Sequence, residues 1–280
     1  MVKKVFAYVY IYLILLLMYI PVLVLIAFSF TNSTYIGEWN GFSFNLYGAL
    51  FKDKEIMVAL GNTIIIAIIS SVVSTLLGTF GAIGAFYSKK RSRALLENLN
   101  QIPVVNAEIV IALSLTVMFV FLGNVIFKNN IFSFWTLLIG HIVISAPFVY
   151  LNVKPKLSQL DPNLYEAALD LGCSPNQALR KIMLPQIYPG ILSGFLLAIT
   201  LSLDDFIVTA FTRGAGLLSG EANIETLSTL IQAKIKKGPI PMNMRPLTTL
   251  IFIVVLVAAI LVTIYQNRNK NKSKTRKGRD

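Results

Sequence analysis

The chain has 280 residues, of which 55% are hydrophobic and only 14% charged, with a mean hydropathy of +0.70. Soluble domains carry about 25% charged residues, and a water-soluble fold has no place for repeated apolar runs of bilayer length, so composition excludes it. The formal net charge of +12 does not indicate nucleic acid, because seven of the basic residues (Arg268, Lys270, Lys272, Lys274, Arg276, Lys277 and Arg279) form a tail directly after the last apolar run, where they act on topology next to anionic lipid.

In chain order, the apolar runs predict six transmembrane helices, near 5–30, 57–87, 104–123, 131–153, 190–211 and 246–266, in an all-α domain over 1–267, with 268–280 as a basic tail. The first run follows Lys3 and Lys4; it is too long for a signal-peptide core and reads as an uncleaved span. Pro21 is expected to kink it. With the N-terminus inside, seventeen Lys and Arg fall on the inner side and eight on the outer, which places both termini in the cytoplasm. Five of those eight lie in the last outer loop. The lone Cys173 cannot form an intrachain disulfide.

The first outer loop carries Trp39 in Glu38-Trp39-Asn40-Gly41-Phe42. An indole face there is either an interfacial anchor or a cation–π site for an alkylammonium group. Within the apolar runs lie Glu108, Asp204 and Asp205, with His141 as the remaining ionisable group of note. Intramembrane acids are costly and mark a pathway by default, and an acidic set without basic partners favours a cationic cargo. Adjacent residues on a helix point about 100° apart, so one of Asp204 and Asp205 is free to face a neighbouring helix or His141 instead. His141 reads as a satisfied packing residue.

Between the fourth and fifth spans, residues 158–185 are polar and predict two short cytoplasmic helices. Asp161-Pro162 is an N-cap followed by proline at the first helical position. Leu164, Ala167, Ala168 and Leu171 are spaced to share an apolar face. Gly172 suits the left-handed residue past a helix end. Ser174 and Gln177 form a capping box for the second helix, with Arg180 and Lys181 in its last turn and Leu184-Pro185 as its stop. The pair is either a docking surface for a soluble partner or a plain surface hairpin. In the last outer loop, Ile224, Leu227, Leu230, Ile231 and Ile235 predict a short amphipathic helix, expected along the membrane surface.

The spacing Glu166-Ala167-Ala168, Gly172, Ile182 and Leu184-Pro185 matches the EAA motif, and on it the chain resembles the permeases of ABC importers (the MetI-like bundle). In that family the motif forms the coupling helix that fits the ATP-binding subunit. The chain has no G-x-x-x-x-G-K-[ST] phosphate loop, so the resemblance implies no cofactor of its own, a separate ATPase dimer that uses ATP and Mg, and no enzymatic role for this subunit. More narrowly, the chain resembles the C-type permease of spermidine/putrescine importers. It does so on Tyr19-Ile20-Pro21, Trp39 with Gly41-Phe42, Glu108-Ile109-Val110, Phe134 to Leu138, Ala146 to Val149, and Thr200 to Asp205.

That resemblance implies a polyamine pathway at Trp39, Glu108, Ser202, Asp204 and Asp205. It also implies a second permease as heterodimer partner, an extracytoplasmic polyamine-binding protein, and residence in a bacterial cytoplasmic membrane. The chain departs from the family pattern at Ala107, where proline is usual, and in the longer stretch Gly214 to Gly220 and the proline-rich Gly238 to Met244, which bear on the receptor-facing side. The alternatives are an ABC permease for another solute, such as a metal, sulfate or molybdate, and a secondary transporter using Asp204, Asp205 and His141 as a proton relay. An anion importer should show basic groups in its spans. An intramembrane hydrolase is disfavoured, because the sequence shows no His/Cys/carboxylate cluster with metal-ligand spacing and no serine–histidine constellation.

Overall fold

The computed structural model describes residues 2–33, 37–128, 131–161, 163–214, 224–237, 242–257 and 260. The basic tail, Pro162, most of the Gly214 to Gly220 stretch, residues 238–241 and the end of the sixth apolar run lie outside them. The described residues contain helices and no strand. This follows from the solvent, because long apolar segments in lipid must satisfy their backbone hydrogen bonds internally.

The helices are α1 (Val2–Ser29), α2 (Asn45–Lys52), α3 (Lys54–Tyr87), α4 (Lys90–Val105), α5 (Glu108–Leu122), α6 (Phe134–Ser158), α7 (Asn163–Asp170), α8 (Pro175–Ala178), α9 (Leu184–Asp204), α10 (Ile207–Thr212) and α11 (Leu227–Lys237), followed by α12 (Met244–Val257). Five segments are long and apolar enough to cross a membrane: Tyr8–Ser29, Lys54–Tyr87, Glu108–Ile126, Phe134–Ser158 and Pro175–Asp204; Met244–Val257 is a shorter apolar helix. The chain divides into two compact units, one of residues 1–57 and 233–280, the other of residues 58–232.

In the first unit α1 runs through Pro21 without interruption. Ser29 Oγ meets Tyr47 Oη at 2.8 Å and tethers α2 to α1. Arg245, assigned to an outer loop from sequence, instead lies buried in the first turn of α12 and donates to the Ser33 carbonyl at 2.8 Å.

The second unit is built on α6 and α9. Gly190 and Gly194 on α9 let its backbone lie against α6: a Cβ at Gly190 would stand 2.9 Å from the Asn152 carbonyl oxygen, and one at Gly194 3.1 Å from Val149 Cα. Small residues four apart are the usual means of close helix approach in lipid, where no hydrophobic effect drives helices together. The core they create joins Ala82, Ile83 and Ala85 of α3, Val149, Tyr150, Val153 and Leu157 of α6, and Ile187 and Ala198 of α9. Gly190→Val should therefore destabilise the bundle by about 1–3 kcal/mol through overpacking; thermal unfolding of the purified protein would read a lowered Tm, and an unchanged Tm would refute the contact. On the same unit Glu97 of α4 binds Arg93 at 2.9 Å and Lys154 of α6 at 3.0 Å. Arg93 first, then Lys154, hold the Glu97 carboxyl below its ordinary range.

Three expected boundaries move. The second helix of the polar pair does not stop at Leu184-Pro185, because the chain is helical from Pro175 through Asp204. A π-helical turn at Leu179–Met183 precedes Pro185. Its wider hydrogen-bond register accommodates a residue that lacks an N–H. Arg180 and Lys181 lie in this turn rather than at a helix end. Residues 190–211 are not one helix either: α9 ends at Asp204 and α10 starts at Ile207. Likewise Val104 and Val105 close α4, and the extended Asn106 and Ala107 separate them from α5.

Candidate functional site: a broken helix with clustered carboxylates

The break between α9 and α10 is built by Asp205. Its Oδ1 accepts from the Val208 N–H at 3.1 Å, and its Oδ2 from the Thr209 N–H at 2.8 Å and the Thr209 hydroxyl at 2.7 Å. These are the orphan donors of the first turn of α10, and a carboxylate there meets both their hydrogen bonds and the helix dipole. Asp205 is 5% exposed, and its backbone carbonyl accepts the Ser228 hydroxyl at 2.6 Å.

Behind Asp205 lies His141 of α6, wholly buried. Its Nδ1 is 2.8 Å from Ser202 Oγ, its Nε2 2.9 Å from Thr209 Oγ1 and 3.4 Å from Asp205 Oδ2. Ser70 of α3 donates to Ser202 at 3.1 Å. Ser202 and Asp205 are thus inward members of a polar network spanning four helices. His141 is the packed, satisfied residue expected from sequence.

Asp204, the last residue of α9, points the other way and is exposed on this chain. Glu108 is the first residue of α5, also exposed, and close enough to Asp205 and Asp204 for their charges to interact. The structure therefore brings Glu108, Ser202, Asp204 and Asp205 together, with Ser202 and Asp205 buried, Asp204 and Glu108 exposed, and the Glu108 carboxyl within reach of Asp205 first and of Asp204 second. Trp39 belongs to the other unit. It is 54% exposed, edge-on to Phe28 at 6.2 Å between centroids. Next to it Phe30, Phe42, Phe44 and Tyr47 form an aromatic group, with Phe30 stacked on Phe42 at 5.2 Å. Ser70, Thr209 and Ser228 were not singled out from sequence; the available signal was Asp205 standing three residues before Val208, the reach of a carboxylate onto the first-turn N–H groups of a helix.

The polar helix pair has the local geometry its residues dictate. Asp161 Oδ1 accepts the Asn163 N–H at 2.9 Å. Gly172 has φ +85°, with the Cys173 N–H on the Ala168 carbonyl at 3.0 Å and the Gly172 N–H on the Leu169 carbonyl at 2.9 Å, the Schellman pattern. Gln177 Oε1 accepts the Ser174 N–H at 3.1 Å. The expected single apolar face is split. Ala168 is buried and Leu164 half-buried, while Ala167 and Leu171 are exposed, Leu171 at 87%. Tyr165, Leu179 and Leu184 pack inward with buried Met183 on the α3–α6–α9 core, and Ile182 is half-buried while Pro185 is exposed. Glu166, Ala167, Leu171 and Gly172 are left facing outward.

The last outer loop is pinned by its first turn. The Leu227 N–H donates to Thr63 Oγ1 at 2.8 Å, and Asn62 Nδ2 donates to the Glu225 carbonyl at 3.0 Å. Ile224, Leu227 and Leu230 are buried, whereas Ile235 is 44% exposed, so the amphipathic face is buried only over its first half.

Residues 74–273 match the family described as the binding-protein-dependent transport system inner membrane component. The chain belongs to that family. It is a multi-pass membrane subunit of an ABC importer, a transport component rather than an enzyme; ATP hydrolysis in such importers is the work of a separate subunit. Membership sets aside the secondary transporter. Among relatives, the spermidine/putrescine transport system permease protein PotC of Escherichia coli (strain K12) is 31% identical, over 83% of each chain. The putrescine transport system permease protein PotI of the same organism is 32% identical over 80% of this chain and 77% of its own. The fold is that of the crystal structure of a bacterial ABC transporter that imports the acidic polysaccharide alginate, with TM-score 0.68, 16% identity, and 95% and 96% of the two chains covered.

Proposed function

We propose that this chain is a polyamine-translocating permease and that Asp204 and Glu108 form a cation subsite on its path. The observation that carries the reading is the divided break: Asp205 is consumed by α10 and the His141 network, while Asp204 and Glu108 stay exposed at the ends of α9 and α5. Two carboxylates left open to lipid would be costly, so that face adjoins an aqueous path or a partner subunit. The last carbonyls of α9 add the negative end of its dipole, an arrangement that discontinuous membrane helices use for cations. The names of the relatives, PotC and PotI, support alkyl polyammonium cargo over a metal or an anion.

Trp39 and its aromatic neighbours supply a second, cation–π station. Successive weak sites let a multiply charged cation both enter and leave. A second, similar permease completes the path, and an extracytoplasmic polyamine-binding protein delivers cargo. A dimer of ATPase subunits docks on the outward face of Glu166, Ala167, Leu171 and Gly172. Ala168, Ile182 and Leu184 hold that face in place from within, while Pro185 stands exposed. Both termini then lie in the cytoplasm, with α9 rising from the ATPase towards the outside.

The test is ATP-dependent uptake of labelled spermidine and putrescine into vesicles carrying the complete importer. Uptake that saturates with either amine and stops without ATP is expected. Uptake of sulfate, molybdate or a metal ion in place of both amines overturns the reading.

A further inference from the structure

His141 is the single histidine of the chain, and transport as described makes no use of it. Its surroundings fix its hydrogens. The Thr209 hydroxyl donates its one proton to Asp205 Oδ2, so towards the imidazole it can only accept, and Nε2 must carry hydrogen. On the other side the Ser70 hydroxyl has two acceptors in reach, Ser202 Oγ at 3.1 Å and the Ala67 carbonyl at 3.3 Å; with its one proton on the nearer, Ser202, the Ser202 proton is left for Nδ1, 2.8 Å away. The donors therefore run one way, from Ser70 through Ser202, His141 and Thr209 to Asp205. The imidazole is the neutral Nε2–H tautomer.

The chain crosses α3, α9, α6 and α10 in turn, and it ends on the carboxylate that creates the helix break. We propose that His141 is a positioning residue for cargo: acting through Thr209, it fixes the Asp205 carboxylate and hence the placement of Asp204 and Glu108 at the break. A purely stabilising network would hold the helices together with no bearing on the rate of passage. A positioning network makes passage depend on the Thr209 link even in a folded complex. The inference rests on the Asp204–Glu108 subsite described above.

Histidine labelled with a heavy nitrogen isotope tests it in the complete importer, with His141→Gln identifying the signal by difference. A neutral Nε2–H imidazole is expected, whose resonances move in Thr209→Val and when spermidine-loaded receptor and ATP are added. Uptake at saturating receptor should fall roughly tenfold in Thr209→Val, the scale of one hydrogen bond to a carboxylate, and recover in Thr209→Ser, which restores the hydroxyl. An Nδ1–H or doubly protonated imidazole, or full uptake by Thr209→Val in a correctly assembled complex, overturns the inference. Asp204→Asn separates it from its premise: unchanged uptake there removes the subsite itself, whereas loss there with normal uptake in Thr209→Val removes only the role of His141.

Discussion

Asp204→Asn should slow spermidine uptake at saturating receptor by roughly ten- to a hundredfold while the importer still assembles. The two neighbouring aspartates are expected to fail differently, and the structure says why. Asp204 is exposed at the end of α9, so its neutralisation costs the fold little. What it removes is one charge-assisted contact to an ammonium group, about 1.5–3 kcal/mol, and each 1.4 kcal/mol lost in the rate-limiting state is about tenfold.

Asp205→Asn should instead act on the fold. Its carboxylate accepts three hydrogen bonds from the first turn of α10 and borders His141. An amide there loses one acceptor oxygen and places two N–H donors among donors. A lost cap alone costs about 0.5–2 kcal/mol, and a buried mismatched polar group adds to it. The expected readout is a lower yield and Tm of the Asp205→Asn complex, against near-normal assembly and poor uptake for Asp204→Asn. Equal uptake defects with equal stability would mean that both carboxylates face the path and that the division seen at the break has no functional meaning.

This division marks the limit of what the residues disclose alone. The turns of the polar pair were legible because each signal is local: Asp161, Gly172 and Ser174 with Gln177 act within four residues of themselves, and the backbone obeys them. The broken helix was not. Residues 190–211 read as one apolar stretch carrying two acids, and intramembrane acids are read first as pathway. Whether an acid is instead a cap depends on which way the helix turns at that point and on what stands behind it, here a histidine sixty-four residues earlier in the sequence. The same holds for Pro185. Proline is a local stop signal, yet a π-helical turn and a packed core carry the helix past it. Leu171 shows the third limit: its spacing placed it on one apolar face with Ala168, but the Schellman turn at Gly172 leaves it outside, 87% exposed, while Ala168 is buried.

That exposure sets the second large effect. Gly172→Val should abolish productive coupling to the ATPase while leaving the membrane bundle intact. At φ +85° an added Cβ meets no atom within 4 Å, so the penalty is conformational: a β-branched residue is a rare outlier in the left-handed region and costs of order 1–3 kcal/mol there. The turn relieves it by opening the two hydrogen bonds to Ala168 and Leu169, which moves Leu171 and the outward face of α7. Gly172→Asn is the matched control, since asparagine adopts the left-handed conformation readily. Spermidine transported per ATP hydrolysed should collapse in the valine variant, or the ATPase should fail to co-purify, with the asparagine variant close to wild type. Because nothing packs against this position, a damaged bundle is not a competing explanation, and tight coupling in Gly172→Val would show that the outward face of α7 does not carry the stroke.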